Sequence, residues 1–485
     1  MISRPQEVRP SNDKMVLLLA HYFRKVCVIN SCFDSPANPL RSVVPALMPS
    51  SPLIQLCILS MSAGHLRNTF PHLSLDSLEY LTATVSELTK EIKSILPDHA
   101  SSAVSDQRFE YVLLGVIMLG VTTSWHVSSG LGLEHIAGSR ALFRLWIEHK
   151  FRYGQTLDDE WSRLDFYMGL QAYWEAMAAF LVDQDIHQLE YLDIASTIPR
   201  TQPVYVHPWT GISAIPWLCL AKAGCIVRLK RNLLRRAIPA EGCTATGGAR
   251  QHSLLELSQA LRRLTEELVL YETPDDSEIA DTFDKHTSKS DLKNLSRCCQ
   301  LAALLECVRS LDNVLEQREI LGLVSNIMTD PSTGEFTKQG CLDLPYTSVL
   351  QMLSLQILQL LSGIPTDSGT RSLHHLPLLI AGGVLLPQIM GRPSATVSPV
   401  SRVEYSDIMG DASCVSTAVW RRFVVERILN LEKMVNLEGH RKIRLLLDQI
   451  WARGDALAQQ DHQLYSAEGL HWIDVMEDMG LQFFL

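Results

Sequence analysis

The chain has 485 residues, of which 46% are hydrophobic and 20% charged, a balance that excludes a disordered polymer and has length enough for two to four domains. Its 43 Lys and Arg against 53 Asp and Glu leave a net charge of −10, so the average surface is not one that gains affinity by neutralising phosphates. Met1–Lys14 is polar with two prolines and lacks the apolar core of a secretion signal, so the reading is of a soluble, intracellular protein.

Taken in chain order, the patterns are helical. The longest apolar run, Tyr111–Val121, is too short to span a bilayer. Arg228, Lys230, Arg231, Arg235 and Arg236 form the densest basic cluster. It reads either as a nucleic-acid or nuclear-import patch or, at least as well, as the solvated face of an amphipathic helix, with Ile226, Leu229 and Leu233 on another side. Residues 238–252, with three glycines, predict a loop. Ser253 and Glu256 have the spacing of a capping box ahead of Leu254, Leu257, Leu261, Leu264, Leu268 and Tyr271. That stripe lasts under three heptads, which favours a buried bundle helix over a dimer zipper.

The acidic stretch 272–290 predicts a second loop. Val349, Leu353, Ile357 and Leu360 mark a helix that Gly363 and Pro365 stop. Pro377, Pro387 and Gly382–Gly383 interrupt the apolar segment 376–390, and the Ser- and Pro-rich 391–411 predicts a third loop. Val424, Ile428, Leu431 and Val435 define one helix and Ile443, Leu446, Leu447, Ile450 and Trp451 the next, an antiparallel pair with the break at Gly439. The terminal stretch 471–485 mixes Asp474, Glu477 and Asp478 with Trp472, Ile473, Val475, Met476 and Phe483. Such alternation marks an activation segment or a docking helix, and the docking helix is the favoured reading. No alternating segment predicts a strand, so the fold class is all-α, a large single helical bundle.

Motifs that carry chemistry are scarce. The 11 cysteines include no C-x-x-C, which reads as reduced core thiols rather than a structural zinc site. There is no G-x-S-x-G elbow, Walker A loop or H-E-x-x-H, and Gly130 and Gly132 lack the third glycine of a dinucleotide fingerprint. His471 with Asp474, His374–His375 and Glu134–His135 have the residue types of metal or acid–base sites. The first two lack a further partner, and the adjacent Glu134 and His135 point to different sides of a helix, so ordinary structural roles account for all three. No catalytic, cofactor-binding or metal-binding residue is assigned, and no cofactor is expected.

Ordered strings then run along the chain: His21-Tyr22-Phe23, Ser31 to Arg41 (SCFDSPANPLR), Ser50-Ser51-Pro52 and Leu59 to Leu66 (LSMSAGHL). They continue with Leu119-Gly120, Ser124-Trp125-His126, Leu131 to His135, Gly138-Ser139-Arg140, Leu145-Trp146, Tyr173 to Met177 and Phe180 to Asp183. Later come His207 to Gly211 (HPWTG), Pro377 to Gly383, Arg421-Arg422-Phe423, Trp451-Ala452-Arg453 and Trp472 to Met476. Together these resemble the fungal-specific transcription factor domain, the regulatory region that follows a binuclear zinc cluster. In bottom-up terms Trp125, Trp146, Trp174 and Trp451 suit helix junctions, and 207–211 suits a loop that starts a helix with Thr210 or Ser213 as cap.

The resemblance implies a nuclear transcriptional regulator of a metabolic or secondary-metabolite gene set, with residues 1–16 a short disordered tail and 17–485 the regulatory domain. It implies a homo- or heterodimer with another transcription factor, or a small-molecule effector held between helices, and no membrane. The binuclear cluster needs six thiolates beside Lys and Arg, and nothing upstream of Leu17 supplies them. No direct DNA binding is therefore expected from this chain. The explanations are a gene model that starts late or a protein that works through a partner's DNA reader. An enzyme or substrate-binding accessory of a biosynthetic pathway that reuses the bundle is the alternative, and a pure interaction scaffold a third.

Overall fold

The computed structural model describes residues 12–70, 76–95, 106–153, 161–194, 203–235, 247–311, 320–324, 346–386, 417–459 and 470–483. Among them there is no strand; two isolated bridges, Val204 with Ile279 and His207 with Gly211, are the only ladder-like pairings. The fold is all-α. Its principal helices are α1 (Asn12–His21), α2 (Pro52–Thr69), α3 (Ser77–Ile95), α4 (Asp106–His126), α5 (Ile136–Tyr153), α6 (Trp161–Ala179) and α7 (Ile215–Arg235). They continue as α8 (Gly247–Leu270), α9 (Lys289–Arg309), α10 (Tyr346–Ser362), α11 (His375–Gly382), α12 (Thr417–Val435), α13 (Glu438–Gln459) and α14 (Trp472–Asp478).

The helix starts are legible where a cap is present. Ser51 accepts from the Ile54 N–H with Pro52 at the first helical position of α2. Ser288 and Asp291 exchange both bonds of a capping box at α9. From Asp291 onward most of α9 is buried on all sides, the condition of a helix at the centre of a bundle rather than on its surface. It packs on α7, α8, α10 and α11, while α7 also packs on α6 and α8. Helices α2, α3 and α4 form a second group, joined to the first through contacts of α4 with α6. One continuous apolar cluster runs from Tyr22 to Phe483.

Several expectations hold. Leu257, Leu261, Leu264, Leu268 and Tyr271 are buried, so the stripe of α8 is core. Helix α10 ends at Ser362, just before Gly363 and Pro365. The eight cysteines among the described residues are free and buried. No described helix is long and apolar enough to cross a membrane.

Others need correction. Helix α8 begins at Gly247, so Ser253 is inside it rather than at its N-cap, and the last six residues of the expected loop 238–252 are helical. The break between α12 and α13 falls at Asn436, whose φ of 54° ends the first helix, whereas Gly439 lies within the first turn of the next. Asn tolerates that left-handed position better than other side chains do. The loop 391–411 lies outside the described residues.

Two glycines show why the strings around them read as they do. Gly132 has φ of 66°, and a Cβ there would stand 1.8 Å from the Gly120 carbonyl oxygen. Gly169 lies against the imidazole of His207, where a Cβ would stand 2.6 Å from a ring carbon. Both are close approaches that no other side chain permits.

Candidate functional site

The basic cluster and the acidic terminal stretch, some 240 residues apart in sequence, meet. Helix α14 buries Trp472, Ile473, Val475 and Met476, with Trp472 packed on the Phe180 ring at 5.2 Å. Its outer edge faces α7. Arg231 Nε donates to Asp474 at 2.9 Å, Arg235 pairs with Asp474 and Glu477, and Arg228 pairs with Glu477 at 2.8 Å and with Asp183 at 2.8 Å. Lys230 is buried and donates to the Ser310 carbonyl. Arg236 lies outside the described residues. Burial, with Arg309 and Arg235 nearby, pushes Arg231 down to about 9, so it is still protonated at neutral pH.

This corrects the expectation of a solvated face or a phosphate-binding patch: the cations are partnered within the chain. The docking reading of 471–483 is the one the fold adopts.

Beneath that contact lies a buried carboxylate. Glu306, fully buried on α9, accepts from His471 Nε2 at 3.0 Å and from Trp472 Nε1 at 2.8 Å. His471 Nδ1 accepts from the Ile473 N–H, making the imidazole the N-cap of α14. His471 and Asp474 therefore have separate structural partners and form no ligand pair. Burial drives His471 down to about 3, while His471 and then Arg309 hold the Glu306 carboxyl below its usual range. The state consistent with both is a neutral imidazole on an ionised carboxylate.

The other histidines singled out in the sequence are structural as well. His374 Nε2 meets Thr370 Oγ1 at 3.2 Å, and His375 Nδ1 meets the Ser372 carbonyl at 3.1 Å. Glu134 and His135, expected to point apart, come within 3.7 Å on the short turn Leu133–His135, with Glu134 largely exposed. Among the described residues no group of three or more His, Cys, Asp or Glu is placed to hold a metal ion.

His207 is the informative member of the 207–211 string. Its Nε2 meets the Phe166 carbonyl at 3.0 Å and its Nδ1 accepts from the N–H groups of Trp209 and Thr210. Those partners fix the ring as the Nε2–H tautomer. The His207 and Gly211 backbones close the turn on each other, and Ser213 Oγ accepts from the Ile215 N–H at the start of α7. Trp209 Nε1 donates to the Asn30 carbonyl and Cys32 N–H to the Pro208 carbonyl, so the turn clamps the 31–41 segment. Within that segment Arg41 pairs with Asp34 at 2.6 Å.

Sequence reasoning quoted Arg140 and Glu175 without their pairing. Arg140 Nε and Nη2 each donate to a carboxylate oxygen of Glu175 at 2.6 Å, and Gln184, Gln188 and the Tyr191 hydroxyl complete the network. No spacing signal links residues 35 apart on two helices.

Above the 207–211 turn, Trp125, Tyr173 and Trp209 line a cleft with Asn30, Ser372 and His440. His440 is buried and neither ring nitrogen makes a hydrogen bond of acceptable geometry. The cavity is about 30 Å³, room for a water but far below the several hundred Å³ that a drug-sized ligand occupies.

With this geometry in hand, the model of the fungal-specific transcription factor domain matches residues 17–485. The chain belongs to this family. No curated protein and no solved structure matches the chain. The family is a class of transcription factor domain and not of enzymes. The strings that carry the resemblance are, in this chain, largely clamps and helix junctions: the His207 turn, the Arg41 loop, the Arg140 network and the Trp472 anchor.

Proposed function

We propose that this chain regulates transcription of a metabolic or secondary-metabolite gene set, in the nucleus, with residues 17–485 acting as one regulatory unit. The family match across those residues carries the proposal. Regulation passes through a partner that reads DNA, either a second copy of the chain or another transcription factor. One observation supports that route: the densest basic helix, α7, has its arginines bonded to Asp183, Asp474 and Glu477. A small-molecule effector acts by shifting this domain between states, since a ligand shifts an equilibrium only through differential affinity.

Two measurements separate the parts. Deleting the gene changes transcript levels of the genes around it; unchanged transcripts overturn regulation. Purified full chain shows no sequence-specific anisotropy change with promoter duplexes at physiological salt. Specific binding there overturns the partner route and leaves regulation standing.

A further inference from the structure

A second cleft opens on the other side of the His374–His375 pair. Its floor is His374, Leu378 and Leu431, and its walls carry Arg371 from the turn Gly369–Leu373 and Arg427 from α12. Thr366 and Asn430 form an exposed rim. Among the described residues the lining contains two guanidiniums, a hydroxyl, an amide and an imidazole, and no carboxylate.

The two arginines differ in what holds them. Arg427 Nη2 donates to the Leu361 and Ile364 carbonyls at 3.0 and 2.6 Å, and its guanidinium lies 5.3 Å from the centre of the Phe423 ring. It is anchored to the end of α10. Arg371 donates from Nη1 to the Asp367 carbonyl, while its Nε is buried with no hydrogen-bond partner. Asp367 itself turns outward, its carboxylate 3.0 Å from His286. A buried charged donor left unmade costs more than an ordinary missing bond. Nε–H is also one arm of the fork with which a guanidinium grips a carboxylate or phosphate side-on, and because it is covered from solvent an anion engages it only as the lining opens around the Arg371 side chain.

The floor is a neutral imidazole that lies in the positive field of the two arginines. Burial pushes His374 down to about 3, and after burial Arg427, His375 and Arg371 do the most to disfavour its proton. Burial likewise holds Arg371 below the ordinary arginine value, with Asp367 and Asp284 opposing. The cavity, about 30 Å³, admits no more than a water-sized group and opens to solvent, so only the oxygen edge of an oxyanion enters while the rest stays outside.

We propose that this cleft is a binding site for the oxyanion head of a small molecule, a carboxylate or a phosphate, gripped by Arg371 with Arg427 behind it. Asn430 and Thr366 donate at the rim. The site does not depend on the regulatory reading and stands or fails separately from it.

The test is calorimetric titration of the full chain at low ionic strength with inorganic phosphate in one arm and malonate in the other. Saturable binding of at least one anion is expected, and the anion that binds identifies the source. Arg371→Gln removes the fork and Asn430→Asp places a carboxylate at the rim, and each weakens binding by about tenfold or more, the value of one charged hydrogen bond. Neither variant touches an anchoring bond of the fold other than Arg371 to the Asp367 carbonyl, so the anion-free melting temperature of Asn430→Asp stays that of the parent. Absence of saturable binding in both arms overturns the proposal. So does parent-like affinity in both variants.

Discussion

Mild acid should unfold this protein, because its core holds imidazoles that must stay neutral. His207, His374 and His440 are all buried and are all pushed down to about 3, with burial the largest cause. In the unfolded chain each protonates near the ordinary value of 6.5. Between about 6.5 and about 3 the unfolded state therefore binds more protons, and stability falls as pH falls. Near pH 5 each ring then costs about 2 kcal/mol, about 6 for the three, against a total stability of about 5–15 kcal/mol. Urea midpoints followed by far-UV circular dichroism from neutral to acid pH read this directly. The discriminating variant is His440→Leu, which deletes one titrating ring together with two buried nitrogens that make no hydrogen bond of acceptable geometry. It should leave stability at neutral pH unchanged or higher and reduce the pH slope by about 1.4 kcal/mol per unit. A parent stability that is flat down to about pH 5, or an unchanged slope in His440→Leu, refutes the account.

Other expected outcomes follow from single contacts. Glu175→Ala strands Arg140 in the core and should lower unfolding stability by about 3–5 kcal/mol, whereas the double variant Arg140→Met with Glu175→Leu should recover most of that loss; equal losses in the two would show that the pair is uncoupled. Trp472→Ala, which empties a fully buried site under α14, should cost about 3–5 kcal/mol by thermal melting, while Arg235→Ala at the exposed end of the same contact should cost under about 1. Gly132→Ala forces a Cβ into the Gly120 carbonyl and should abolish soluble expression, but Gly138→Ala, with nothing within 4 Å, should stabilise α5 by up to about 1 kcal/mol; similar expression and melting for both would contradict the crossing described above.

How much of this was legible in the sequence depended on the range of the interaction. Periodicity alone placed the buried stripe of α8, the stop of α10 at Gly363, and the pair α12–α13, because each rests on residues three or four apart. Helix ends were less well read. Ser253 had the spacing of a cap, but the backbone was already helical six residues earlier, and Asn436 rather than the nearby glycine took the left-handed position. The histidine of the 207–211 string was visible as part of a motif, yet its role as acceptor for two backbone N–H groups needed the turn itself.

The charged residues show where local reading ends. A run of basic residues on α7 has one meaning as a surface and another when carboxylates meet it, and only the fold supplies those carboxylates. Asp474 and Glu477 were read as part of an acidic segment, and Arg228, Arg231 and Arg235 as part of a basic one, with more than 230 residues between them. Each segment on its own had two readings, one of contact outside the chain and one as part of the chain's own fold or surface. Brought together they largely neutralise one another over the buried Glu306, His471 and Trp472. The converse holds at Arg371, which no local pattern singles out. Its Nε is buried without a hydrogen-bond partner beside a second arginine, in a cleft whose lining among the described residues has no carboxylate. On α7, then, the dense cluster of charge is an internal fastener, whereas Arg371 and Arg427 line a cleft that opens to solvent.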